Sequence, residues 1–125
     1  MTLSSLLASA LLAATTALAQ NEYARVPLDE PLNWVAGPSL FPVNVIAGYN
    51  AELAAYDRES WANHVLEQCS TFSDCTSTIS FSAINSGTPK TRFWFGYVFR
   101  GGPTTQANYE RRAGVLGSVA YSIVE

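Results

Sequence analysis

Lysine is nearly absent. Lys90 is the only one in 125 residues, and Lys and Arg together number 7 against 10 Asp and Glu, for a net charge of −3. A chain that grips nucleic acid needs clustered cations to neutralise phosphates, so charge argues against that class. Charged residues of either sign make up only 14%, and with 12% aromatic residues the chain has too little repulsion and too much apolar surface to stay disordered. Histidine is equally scarce: His64 stands alone, which severely limits acid/base chemistry near neutral pH. There is no Gly-x-Ser-x-Gly elbow, no glycine loop followed by Lys-Ser/Thr, and no Asn-x-Ser/Thr sequon. The local signatures of an α/β-hydrolase nucleophile, a phosphate cradle and an N-glycan are therefore all missing.

Residues 1–19 carry no charged side chain, run through Leu6, Leu7, Leu11 and Leu12, and end in Ala17-Leu18-Ala19 before Gln20. A short apolar stretch closed by small-x-small reads as a cleaved secretory signal, too short for the roughly 20 residues of a spanning helix. The expected product, Gln20–Glu125, would be free in the extracellular space, with no membrane span. Cys69 and Cys75 lie in that exported part, where two nearby cysteines pair as a disulfide. A zinc site would need more ligands than these thiols and His64 supply, so neither metal nor cofactor is expected.

From Gln20 to Pro42 the prolines at 27, 31, 38 and 42 deny regular helix, and the segment reads as a Pro-rich extended leader whose Trp34, Leu40 and Phe41 pack in part on the domain. Residues 43–125 read as a single α+β domain. Val43–Ala47 suits a first strand ended by Gly48. Asp57 caps a helix over about Arg58–Cys69, with Glu59 in its first turn and Trp61, Val65, Leu66 and Cys69 as its apolar stripe. Ile79, Phe81 and Ala83 alternate with serines in a half-buried strand, Asn85–Lys90 reverse the chain, and Thr91–Phe99 pair back as a hairpin. A short helical turn from Thr104 or Thr105 to Arg112 and a final strand over Ser118–Val124 complete a small antiparallel sheet packed against one main helix.

Cys69-Ser-Thr-Phe-Ser-Asp-Cys75, Ile79-Ser-Phe81, Phe95-Gly-Tyr97, Gly101-Gly102-Pro103 and Tyr121-Ser-Ile123 resemble, over about half the chain, small fungal secreted proteins related to PAN/apple domains. In such domains a further cysteine stands on the strand that here reads Phe93-Trp94-Phe95. The resemblance implies a sheet cradling a helix, and binding of protein or carbohydrate rather than catalysis.

Alternation on the aromatic strand sets Phe93, Phe95, Tyr97 and Phe99 on one face and Trp94, Gly96 and Val98 on the other. One face must be covered by the helix and the other by the leader or a partner. Gly96 beside Trp94 suggests a shallow stacking place, and Trp94, Tyr97 and Arg100 are the expected surface contacts of a secreted, non-enzymatic module, an effector or a cell-wall-associated factor, that binds protein or glycan. The alternative is a small secreted enzyme or biosynthetic accessory holding an apolar ligand between sheet and helix, with His64, Glu67 and Tyr97 as polar groups. A homodimer through the aromatic face fits either. Acid pairs such as Glu52 with Asp57, or Glu59 with Glu67, read as exposed charges rather than a glycosidase dyad. Arg111-Arg112 reads as cations at a helix end rather than a dibasic processing site.

Overall fold

The computed structural model of the chain describes residues 21–125. The signal segment expected at 1–19, with Gln20, lies outside the described residues. Helix α1 (Arg58–Ser70) begins where the sequence says it should. The Asp57 carboxylate accepts from the Ser60 amide at 2.8 Å while the Ser60 hydroxyl accepts from the Asp57 amide at 2.9 Å, so two orphan donors are satisfied reciprocally. Trp61, Ala62, Val65 and Cys69 are buried and Leu66 is only half-buried. At about 100° per residue Ala62 falls just beside the arc of Trp61, Val65 and Cys69, whereas Leu66 falls well beyond it.

Seven strands accompany the helix: β1 (Tyr23–Arg25), β2 (Trp34–Ala36), β3 (Val45–Glu52), β4 (Ser77–Ile84), β5 (Arg92–Phe99), β6 (Tyr109–Arg111) and β7 (Leu116–Ile123). Five form an antiparallel sheet in the order β1-β7-β4-β5-β3, and β2 pairs with β6 as a separate antiparallel ribbon. The architecture is α+β, with strands packed against the helix. The expected β4–β5 hairpin is present from Ser77 opposite Phe99 to Ile84 opposite Arg92, and the Asn85 amide closes its turn on the Thr91 carbonyl at 2.8 Å. No helix among the described residues is long and apolar enough to cross a membrane.

Strand β4 is more deeply placed than period-two alternation suggests, since Ser77 through Ser82 are all buried. Ile79 and Phe81 face one layer of core, while Thr78, Ser80 and Ser82 pair with Val98, Gly96 and Trp94 under the helix. The helix comes close because these side chains are small. A Cβ built on Gly96 would stand 2.4 Å from Val65 Cγ2, and the Ser80 hydroxyl finds a partner in the Val119 carbonyl at 3.3 Å. Burial of Ser80 is thus tolerated because its hydroxyl is satisfied, whereas the buried Ser77 hydroxyl has no partner among the described residues.

Three expectations change. The strand expected to end at Gly48 runs on through it to Glu52, paired with β5 throughout apart from a bulge at Ile46. The leader is not separate from a domain starting at residue 43. It contributes β1 to the main sheet and β2 to the ribbon, and Val26, Trp34, Val35 and Leu40 are core residues. Its prolines interrupt neither strand: Pro27 and Pro31 fall between them, and Pro38 and Pro42 between β2 and β3. Lastly, the turn after Thr105 is a single 3-10 turn over Gln106–Asn108, and the chain then enters β6, so Arg111 is in a strand and not at a helix end.

The core consequently lies in two layers. Trp61, Val65, Cys69, Cys75, Trp94 and Val98 fill the helix side, and Val26, Trp34, Val35, Leu40, Ile79, Phe81, Phe99, Tyr109, Val115 and Ala120 fill the arm side. Cys69 and Cys75 form the expected disulfide, joining the end of α1 to the start of β4.

Candidate binding groove

The three residues expected to make surface contacts are not brought together. Trp94 is 7% exposed, lies in the helix-side core, and donates its Nε1–H to the carbonyls of Leu53 and Tyr56 at 3.0 and 3.1 Å. An indole whose only polar atom is already satisfied inside the core offers nothing to a ligand. The hollow expected beside Gly96 is occupied by Val65. Arg100 is exposed at the far end of β5, where its guanidinium meets Asp74 at 3.2 Å and straps that strand to the disulfide loop. Tyr97 alone stays half-buried on the arm side.

Around Tyr97 the arm leaves a groove of about 130 Å³ lined by Val35, Ala36, Phe41, Phe81, Tyr97 and Arg112. Register explains why it forms. Tyr97 pairs with Gly48, whose missing side chain lets the phenol ring lie across β3; a Cβ there would come within 2.9 Å of Tyr97 Cε1. Phe41 meets the same ring edge-on, with centroids 5.5 Å apart and planes at 79°. Leu40 turns into the core at 3% exposure, which leaves its neighbour Phe41 at 46% on the rim.

Arg112 closes one side. Its amide donates to the Asn33 carbonyl at 2.8 Å, fixing the backbone against the arm. The adjacent Arg111 is spent differently. Its guanidinium lies 4.2 Å above the Trp34 ring and donates to the Pro31 carbonyl at 2.7 Å and Asn33 Oδ1 at 2.6 Å. Trp34 is gripped from the other direction by Ser118, whose hydroxyl accepts from its amide and donates to its carbonyl at 2.8 and 2.7 Å. Tyr109 sits below the ribbon, bonded to the Thr104 hydroxyl at 2.9 Å, and burial pushes its phenol up to about 12. These contacts hold the floor still.

Catalytic candidates fare less well as a set. His64 is half-buried beside Tyr56 and Trp61, with both ring centroids 5.4 Å away, on the helix side, whereas Tyr97 is on the opposite face of the sheet. Asp57 is committed to capping α1, and the Ser60 amide and hydroxyl hold its carboxyl below the ordinary carboxylate value. The Arg25 guanidinium, with a smaller contribution from Arg58, does the same to Glu59. A glycosidase acid needs its pKa raised, and both carboxyls are moved the other way. Among the described residues no group of three or more His, Cys, Asp or Glu is arranged to hold a metal ion.

No family model, curated protein or solved structure matches the chain. The resemblance to PAN/apple domains accordingly rests on the motifs quoted above.

Val35, Ala36, Phe41, Phe81 and Arg112 are the groove residues that sequence reasoning passed over as ligand contacts. A signal was present for Phe41. Leu40-Phe41 sits in a non-helical segment bracketed by Pro38 and Pro42, where adjacent side chains diverge, so only one of the pair could face inward.

Proposed function

We propose that this chain is an exported, non-catalytic binding module of PAN/apple-like character that holds one ring-sized apolar group of a protein or glycan ligand in the groove lined by Phe41, Phe81 and Tyr97. The observation that carries the reading is the half-exposed Phe41 standing edge-on to Tyr97 over a slot of about 130 Å³. A dry cavity of about 150 Å³ holds benzene, so the slot suits a single ring. A ring that buries on the order of 100 Å² of apolar surface gains about 2 to 3 kcal/mol. That supports a specificity pocket within a larger contact surface better than a complete small-molecule site.

Export is supported by the uncharged apolar segment ending at Ala19 and by a disulfide of a kind that persists in oxidising compartments. The absence of convergent polar groups around His64 favours binding over the enzymatic alternative.

Protein and glycan arrays probed with the wild-type chain, Phe41→Ala and Tyr97→Ala test the reading. Ligands captured by the wild type are expected to be lost from both variants, with the melting temperature of Phe41→Ala unchanged because that side chain is largely outside the core. Capture that survives both substitutions would move binding away from the groove. Recovery of the protein from the medium starting at Gln20 and two hydrogens lighter than the reduced chain is the expected outcome for export.

A further inference from the structure

The chain has six arginines, and five have side-chain partners: Arg25 and Arg58 meet Glu59, Arg100 meets Asp74, Arg92 donates to Ser82 and the Gly114 carbonyl, and Arg111 is seated in the arm. Arg112 alone makes no ion pair and no side-chain hydrogen bond among the described residues, and it stands at the side of the aromatic groove. Its backbone is held by Asn33, so the side chain springs from a fixed point beside the slot.

We propose that the occupant of the groove is a protein segment carrying a large apolar or aromatic side chain next to a carboxylate, with the ring in the slot and the acid on Arg112. The inference rests on the groove reading above and narrows it from protein or glycan to an acidic protein segment. Charge complementarity selects the acid, since an unpaired guanidinium can donate a fork of two hydrogen bonds to a carboxylate. The lining selects the side chain over a sugar. The side chains of Val35, Ala36, Phe41 and Phe81 offer no hydrogen bonds, so the several hydroxyls of a pyranose would lose water and find side-chain partners only in Tyr97 and Arg112.

The test is titration of the ¹⁵N-labelled protein at low salt, followed by NMR, with acetyl-Asp-Phe-Asp amide, acetyl-Asn-Phe-Asn amide, maltotriose and a trimeric uronic acid. The acidic peptide is expected to shift groove amides around Val35, Tyr97 and Arg112 and to bind about threefold more tightly than its neutral counterpart. In Arg112→Gln, whose exposed side chain leaves folding intact, that preference should vanish while the neutral peptide keeps its affinity. In Phe41→Ala both peptides should weaken together. Equal binding of the two peptides, or a preference that survives Arg112→Gln, would overturn the acid-reading role and leave the groove reading standing. Groove shifts from either sugar with none from the peptides would overturn the protein occupant in favour of a glycan. Groove amides unmoved by all four probes would overturn both readings.

Discussion

Trp61 and Trp34 lie in opposite layers of the core, both nearly inaccessible, and each is held by a different kind of neighbour. Trp61 belongs to a helix whose cap, periodicity and disulfide are all local in sequence, and its Nε1–H donates to the Phe95 carbonyl at 2.9 Å. Trp34 belongs to an irregular arm, and its partners Ser118 and Arg111 are 84 and 77 positions further along the chain. A helix lays a continuous stripe onto the sheet and leaves no room, as Val65 over Gly96 demonstrates. An arm of short strands and proline turns covers by separate footholds, and between Phe41 and Val35 it leaves a groove. The face closed by the less regular chain is the face that carries the groove proposed as the ligand site.

Substitutions should separate the two layers by size and by kind. Trp61→Ala is expected to cost the most, about 3 to 5 kcal/mol, because it empties a site 1% exposed and orphans the Phe95 carbonyl; chemical denaturation measures it, and a loss below about 1 kcal/mol would mean the helix layer is not tightly packed. Replacing both cysteines by alanine should cost about 2 kcal/mol for so short a loop, a fall in melting temperature of roughly 9 °C, without abolishing folding. Gly96→Ala should cost about 1 to 3 kcal/mol through the clash with Val65, and Val65→Ala in the same chain should recover part of that loss. A double mutant as unstable as the sum of the singles would mean the two residues do not share the space.

On the arm side the expected effect is smaller and local. Arg111→Ala removes the cation over Trp34 and two charge-assisted bonds, at about 1 to 2 kcal/mol, and should speed amide exchange at Gly37 and Arg112 while leaving β4 and β5 protected. The smallest effect is the exposed pair of Arg25 with Glu59. Contact with Arg25 lowers the folded carboxyl below its unfolded value, so its contribution is present above the ordinary glutamate range and is lost as pH falls through the lowered one. Glu59→Gln should remove that small contribution at neutral pH and flatten the acid-side slope, leaving stability below the lowered carboxyl range unchanged.

The helix layer was legible in the sequence because every signal for it is short-range. Asp57 caps within three residues, the apolar spacing repeats within one helix, the two cysteines are six apart, and the hairpin turns on Asn85 and Pro89. The aromatic strand called for the helix on one face and the leader or a partner on the other, and helix and leader supply the two core layers. What could not be read was which residues of the arm meet which distant partners. A three-residue strand such as Trp34–Ala36 has no periodicity to detect, and it is a strand because β6 lies 75 residues later. The groove was missed for the same reason: Phe41, Tyr97 and Arg112 are neighbours only once the arm has docked. Trp94 misled because its pairing with Gly96 suggested an open hollow, and the helix supplies Val65 to fill it.

Native-state amide exchange tests the docked arm most directly, because three amides report it: Val26 to the Ala120 carbonyl, Gly37 to Asn108 and Arg112 to Asn33, each at 2.8 to 2.9 Å. If the arm is part of the folded sheet assembly, all three should be protected at least a hundredfold over free-chain rates, an opening free energy of about 2.7 kcal/mol or more. Exchange of these amides at free-chain rates while β4 and β5 stay protected would show an undocked leader, and the groove lined by Phe41, Phe81 and Tyr97 would not exist as a binding site.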